Sequence, residues 1–265
     1  MTKLVRNLLP IVFIGLLLAS CAPKAPELFT PQQPDMGTYE QKTNNFVILL
    51  DASSSMTGRV EGVSKFEYAK GLVRMLNHSI PNIPLNGALR TFGHNKDLTT
   101  AKTKLFYGMT SYDAAGLDAG LNAVTRAGGF SPMGSAISGS ITDLEGLSGK
   151  SAVIIVSDGL DNLEIPMTAA ENLKARYGDA VCIYTVAVGA SPEGQNVLKE
   201  LTAIGECGKA VTAKQIMSPA GMAGFVSDVF LSRSMAAPIA LPASPADTDG
   251  DGVTDDMDMC PGTPY

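Results

Sequence analysis

The chain has 265 residues, of which 45% are hydrophobic, 6% aromatic and 17% charged, the make-up of an ordinary globular protein. Its formal net charge of −6 is a local feature: from Ser234 onward there are six Asp and no Lys or Arg, which leaves 20 acids against 20 bases before that point. A neutral body without a basic patch argues against nucleic acid as a partner.

The first segment stands apart from the fold. Lys3 and Arg6 precede a short apolar run over 8–19, which ends in Leu18-Ala19-Ser20-Cys21. A positive start, a short apolar middle and small residues before the cut describe a secretory signal over 1–20, and the run is short for a bilayer span. A retained signal anchor or a cut elsewhere is the alternative. Leu18-Ala19-Ser20-Cys21 resembles a bacterial lipobox. The resemblance implies that Cys21 is acylated and becomes the first mature residue. With Ala22 and not Asp behind it, it further implies a lipid anchor in the outer membrane, facing the periplasm or the cell surface. Residues 21–43, rich in Pro, Gln and Lys, read as an extended tether.

About 244 residues remain after the signal, enough for one good-sized domain plus extras. The apolar runs Phe46-Val47-Ile48-Leu49-Leu50, Ala152-Val153-Ile154-Ile155-Val156 and 181–188 suit strands buried on both faces, as in a parallel sheet. Weaker strands are predicted at 88–92, 104–107 and 209–212. Between them, four sets of residues repeat at helical spacing: Phe66, Ala69, Leu72, Val73 and Leu76; Ile137, Ile141 and Leu144; Val197, Leu198 and Leu201; and Met222, Phe225, Val226, Val229 and Phe230. Strand and helix alternate through Arg233, which predicts a doubly wound, Rossmann-like, mostly parallel α/β domain over 44–233. An Ala- and Pro-rich linker over 234–246 follows, and then a short acidic tail.

Four cysteines occur. With Cys21 assigned to lipid, Cys182, Cys207 and Cys260 remain in an oxidising compartment, where one bridge can form and one thiol is left over. Cys182 and Cys207 both lie within the globular part and are the expected pair. Buried free thiols are the alternative.

The first strand runs into Asp51-Ala52-Ser53-Ser54-Ser55, and the fourth ends at Ser157-Asp158-Gly159. Ligands of open α/β sheets bind at the carboxyl ends of strands, where the strand order reverses. In the usual order 3-2-1-4-5-6, strands one and four are neighbours, so Asp51 and Asp158 face each other across the crevice. Two carboxylates there repel unless a cation lies between them. Alternate residues of an extended segment point the same way, so Ser53 and Ser55 project together. A third loop, Gly128-Gly129-Phe130-Ser131-Pro132-Met133-Gly134, precedes a helix and adds the Ser131 hydroxyl. Hard oxygen donors suit Mg²⁺. Neutral hydroxyls with only two carboxylates leave a divalent cation under-neutralised, ready for a carboxylate from outside.

These three motifs, taken in order after an apolar strand, resemble the metal-ion-dependent adhesion site of von Willebrand factor type A domains. The resemblance covers roughly 45–233. It implies that Asp51, Ser53, Ser55, Ser131 and Asp158 hold Mg²⁺ or Mn²⁺, directly or through water, and that an Asp or Glu of a protein ligand completes the coordination. Ser131 stands where the family has threonine, so the hydroxyl is kept and the methyl that helps fix its rotamer is lost. Ser54, Asp161 and Asn162 read as neighbouring polar residues with indirect or solvent roles. A scaffold with a vestigial site is the alternative.

In the tail, Asp247-x-Asp249-x-Asp251-Gly252-Val253-x-Asp255-x-x-Asp258 places carboxylates at calcium-loop positions 1, 3, 5, 9 and 12. Glycine falls at 6 and the Val253 carbonyl at 7. Residues 247–265 resemble a thrombospondin type 3 repeat, which implies Ca²⁺ binding. Such repeats in bacterial envelope proteins often precede an OmpA-like peptidoglycan-binding domain, which implies cell-wall association. A solvated acidic tail is the alternative.

No catalytic pattern competes with these. Ser131 is not in a Gly-x-Ser-x-Gly elbow. His78, at a helix end, and His94, in Gly93-His94-Asn95, read as surface residues because no nucleophile motif accompanies either. The sequence thus points to a non-enzymatic envelope lipoprotein that binds a partner protein through a divalent-metal adhesion site. A structural connector between outer membrane and cell wall is the second reading. The third is a metal-dependent hydrolase using Asp51 and Asp158, for which no candidate base is evident.

Overall fold

A computed structural model describes residues 30–34, 36–160 and 165–233. Cys21, Asp161, Asn162, the linker over 234–246, Cys260 and the tail residues Asp247, Asp249, Asp251, Val253, Asp255 and Asp258 lie outside the described residues.

Six strands build one sheet: β1 (Asn45–Asp51), β2 (Asn86–Phe92), β3 (Thr103–Ser111), β4 (Ser151–Ser157), β5 (Val181–Ala187) and β6 (Ala210–Thr212). Their order is β3-β2-β1-β4-β5-β6, with all pairs parallel except the edge pair β2 and β3. This is the doubly wound arrangement in which the crevice opens beyond the carboxyl ends of β1 and β4. The helices are α1 (Lys65–Ser79), α2 (Ala114–Ala123), α3 (Met133–Asp143), α4 (Pro166–Tyr177), α5 (Pro192–Ile204), α6 (Ala213–Ile216) and α7 (Pro219–Phe230).

Every residue of β1 and of β4 is buried, because helices cover both faces of the sheet. Alternate residues therefore feed two separate cores. Phe46, Ile48 and Leu50 pack with Phe66, Leu72 and Leu76 of α1 and with Phe225, Val229 and Phe230 of α7. Val47 and Leu49 pack with Met133 and Ile137 of α3, Leu173 of α4, and Leu198 and Leu201 of α5. The four helical stripes read from the sequence fall on α1, α3, α5 and α7. Helices α2, α4 and α6 carry no such stripe. In α2 the buried face is only Leu117, Gly120 and Leu121, and Gly120 lets the helix lie against the edge strand: a Cβ there would come within 2.9 Å of the Phe106 carbonyl oxygen.

The stretch expected to be tether up to Thr43 gives its last residues to the fold. Tyr39–Gln41 pairs antiparallel with Leu231–Arg233, the Lys42 N–H donates to Phe230 O at 2.8 Å, and the Thr43 hydroxyl donates to Val229 O at 2.6 Å. The two ends of the domain are thereby tied together at the pole where β1, β4 and β5 begin.

A disulfide joins Cys182, on β5, to Cys207, just before β6, across 25 residues of sequence. Closing a loop of that size stabilises a domain by roughly 3 kcal/mol. Replacing both cysteines by alanine should lower the unfolding free energy in urea by about that amount and steepen the slope, because the unfolded chain without the bridge exposes more surface. An unshifted midpoint would show that the bridge does not constrain the chain.

Candidate metal centre

The parallel register places Leu50 beside Val156, so Asp51, the last residue of β1, and Asp158, the first beyond β4, emerge on adjacent strands. Both are fully buried. Asp51 accepts from the Ser53 N–H through Oδ1 at 2.8 Å and from the Ser157 hydroxyl through Oδ2 at 2.6 Å. The hydroxyls of Ser53 and Ser55 lie 3.0 Å apart. Ser55 in turn donates to Asp158 Oδ1 at 3.1 Å, and the Leu160 N–H reaches the same oxygen at 3.2 Å. Hydrogen bonds through Ser53 and Ser55 thus connect one carboxylate to the other.

The loop that carries Ser131 is laid along this network. Gly128 N–H donates to Ala52 O at 2.9 Å, Ser54 N–H to Gly129 O at 2.8 Å, and Gly129 N–H to Gly93 O at 2.7 Å. The contact needs Gly93, whose φ of +69° is the left-handed region and where a Cβ would come within 2.5 Å of the Phe130 carbonyl oxygen. On the other side, a Cβ at Gly159, with φ of +77°, would overlap the Gly194 carbonyl oxygen. Backbones therefore approach closely around the centre, and they hold its serines and carboxylates in place.

Two observations test whether these residues fit a divalent cation. The Ser131 hydroxyl is buried and has no hydrogen-bond partner among the described residues. An unsatisfied buried hydroxyl costs about 1–3 kcal/mol, and an oxygen-binding ion beside it would remove that cost. Burial also pushes Asp51 up to about 7, with Asp158 adding to the shift and the hydrogen bonds from Ser157 and Ser53 opposing it. A positive charge at the centre would relieve that desolvation. Among the described residues no group of three His, Cys, Asp or Glu forms, so the donor set is hydroxyls with two carboxylates, the chemistry of a hard cation. The residues fit.

Asp51, Ser53, Ser55 and Asp158 are thus joined in one network, with Ser131 on the loop packed against it. Ser54 is exposed. Two participants were not singled out in the sequence. Ser157 stands in the motif Ser157-Asp158-Gly159 without a role of its own there, yet it hydrogen-bonds Asp51. Lys65 is 93 residues from Asp158 in the chain, and its Nζ lies 2.9 Å from Asp158 Oδ2. A cation at the first position of a helix, where acids are favoured, is the signal that could have flagged it. The expectation that His94 is a surface residue is corrected. It is buried, with Nδ1 3.2 Å from the Thr91 hydroxyl and Nε2 2.9 Å from Ala101 O, because the turn through Gly93 carries the ring inward. His78 is exposed, as expected, and pairs with Asp118 at 2.7 Å. Two concavities, of about 550 and 470 Å³, open at the opposite pole around Lys42, Lys209 and Asp228, away from this centre.

No protein-family model matches the chain. It is 27% identical over 186 residues, 66% of its length and 78% of the other's, to the uncharacterized protein YwmD of Bacillus subtilis. Its structure is similar to von Willebrand factor type A from Catenulispora acidiphila, with a TM-score of 0.52 and 18% identity over 70% of this chain and 41% of that one. It is also similar to proximal thread matrix protein 1 from the mussel byssus, solved with a zinc-occupied MIDAS motif, with a TM-score of 0.52 and 15% identity over 73% and 48% of the two chains. The chain spans under half of each of those two structures. At such identities the likeness is one of fold: the chain has the Rossmann-like α/β fold of von Willebrand factor A domains.

Ser131→Ala should act in opposite directions on stability and on metal binding. Deleting an unsatisfied buried hydroxyl should leave the chelator-treated protein as stable as before or up to about 1 kcal/mol more so, while Mn²⁺ affinity measured by calorimetry drops at least about tenfold. A less stable metal-free variant would show that the hydroxyl has a partner. A second expectation concerns pH. Asp51 has its folded pKa raised from 3.8 to about 7, so the folded metal-free protein holds the extra proton and loses stability as pH rises across that window. A cation must displace this proton below pH 7. Mn²⁺ affinity should therefore climb by up to about tenfold per pH unit below 7 and level off above it. A flat profile from acid to neutral pH would show that Asp51 is already ionised.

Proposed function

We propose that this chain is an outer-membrane lipoprotein, anchored through Cys21, whose α/β domain binds a partner protein through Mg²⁺ or Mn²⁺ held by Asp51, Ser53, Ser55, Ser131 and Asp158. The observation that carries the reading is the buried, unpartnered Ser131 hydroxyl on a loop packed against two buried carboxylates already linked by Ser53 and Ser55. In this reading Asp51 and Asp158 supply the charge, the three serine hydroxyls supply neutral oxygens, and the Ser157 hydroxyl and Ser53 N–H hold Asp51 in orientation. A bound divalent cation would offer open coordination to an Asp or Glu carboxylate of the partner.

Two features favour a protein over a small anion, and binding over catalysis. Three of the exposed large apolar side chains, Phe130, Leu160 and Ile165, sit on the segments that flank Ser131 and Asp158, where a protein surface could cover them. Both histidines are occupied elsewhere, His94 with Thr91 and Ala101 and His78 with Asp118, so neither offers a base to activate a water at the centre. The tail carboxylates Asp247, Asp249, Asp251, Asp255 and Asp258, with the Val253 carbonyl, extend the envelope reading as a Ca²⁺ loop.

The test is calorimetric titration of the chain from residue 22 onward, its six tail aspartates (Asp247, Asp249, Asp251, Asp255, Asp256 and Asp258) replaced by Asn so that only the α/β centre is read, with Mg²⁺ and Mn²⁺ and with Asp51→Ala as control. Binding to the native protein and at least about a hundredfold loss in the variant is the expected result, followed by metal-dependent, chelator-reversible capture of a partner from envelope extract. Native protein that binds neither ion would leave the domain as a scaffold.

A further inference from the structure

Lys65 is an unusual residue to find beside two buried carboxylates. It opens α1, directly after the cap residue Ser64, whose hydroxyl accepts from the Glu67 N–H at 3.2 Å. A cation at this end of a helix opposes the helix dipole, so helix stability does not account for it. The hairpin of Arg59–Val60 with Val63–Ser64, turning through Glu61 at φ 50° and Gly62 at φ 86°, returns the chain so that the Lys65 N–H donates to Gly58 O at 2.7 Å. From there the stem runs between two glycines. A Cβ on Gly189 would come within 3.1 Å of Lys65 Cε, and one on Gly58 within 3.5 Å. The side chain is only 16% exposed, and its ammonium meets a carboxylate that is 0% exposed. The two oxygens of Asp158 are divided in consequence: Oδ1 faces Ser55 and the serine network, and Oδ2 faces Lys65.

We propose that Lys65 is a built-in counter-cation of the centre, a positioning residue that holds Asp158 by its outer oxygen, lowers the affinity for metal alone and makes the loaded centre select an anionic carboxylate partner. The inference rests on the metal-site reading above. Asp51 and Asp158 bring two negative charges and Lys65 returns one positive. A divalent cation would then leave the centre with a surplus positive charge, where without Lys65 it would be neutral. The ammonium repels the incoming ion, and the loaded centre attracts a carboxylate from outside more strongly than two aspartates and a cation alone would. Lys65 thus turns a site that could be content with metal into one completed by an acidic side chain of the partner.

The test uses the chain from residue 22 onward with the six tail aspartates (Asp247, Asp249, Asp251, Asp255, Asp256 and Asp258) replaced by Asn, so that Mn²⁺ is read at the α/β domain, with Mn²⁺ as the metal and acetate as the carboxylate probe. Mn²⁺ is titrated in sodium acetate and in sodium chloride of equal ionic strength. Native protein is expected to bind Mn²⁺ more tightly in acetate. Lys65→Met and Lys65→Gln should bind it about tenfold more tightly in chloride, a modest part of what a full charge exerts over a few ångströms at an effective dielectric of about 20. Both should lose most of the gain from acetate. Lys65→Arg, which keeps the charge, should follow the native protein in both salts. Thermal melts in chelator should show Lys65→Met less stable than native, with Mn²⁺ closing the gap; Gln keeps a donor to Asp158 and serves if Met does not fold. Neutral variants that bind Mn²⁺ no more tightly, or that keep the full gain from acetate, overturn the inference while the metal site stands. Native protein that binds no Mn²⁺ in either salt overturns the metal reading and the inference together.

Discussion

Two carboxylates buried side by side at the ends of adjacent parallel strands set the terms for the rest of the centre. The register of β1 against β4 fixes where Asp51 and Asp158 emerge, and neither strand can slip, because every residue of both is buried between two helical layers. Charges in such a place are costly unless compensated. The surroundings read as that compensation: a backbone N–H and a hydroxyl on Asp51, a hydroxyl and an ammonium on Asp158. What stays uncompensated is also local, namely the raised affinity of Asp51 for a proton and the unpartnered Ser131 hydroxyl. Both deficits are of the kind that the cation of the proposed function would relieve.

Much of this was legible in the sequence because parallel strands buried on both faces leave unbroken apolar runs, as at 46–50 and 152–156, and because the strand order then brings the residues after the first and fourth runs together. The six strands follow from apolar runs and four of the helices from periodicity. Helix α2 does not, because it packs through Gly120 and two leucines and leaves no stripe to read. In α4 the buried set is Pro166, Ala169, Ala170 and Leu173, too small in volume to stand out. Tyr39–Gln41 looks like polar linker, since its partner strand lies at the far end of the domain. The five residues of the candidate centre, Asp51, Ser53, Ser55, Ser131 and Asp158, were readable as motifs. Lys65 and Ser157 were not, because their roles depend on which carboxylate the fold sets opposite them, and the burial of His94 depends on a turn conformation at Gly93 that the letters do not display.

The balance of neutral and charged donors explains why such a centre would serve binding better than storage. A cage of four or five carboxylates saturates a divalent ion and needs nothing further. Here the described residues bring together only two carboxylates, three neutral serine hydroxyls and, against them, an ammonium, so the centre by itself is left short of negative charge. The shortfall has a structural cost in the metal-free protein, since Asp51 is desolvated and Ser131 unsatisfied, and the stabilising features lie elsewhere: the Cys182–Cys207 bridge and the ribbon of Tyr39–Gln41 with Leu231–Arg233 close the opposite pole. A rigid scaffold tied at one end can keep the other end electrostatically incomplete without unfolding. That incompleteness is what a partner's carboxylate would satisfy, and its affinity would then depend on the metal although the metal contributes only part of the contact.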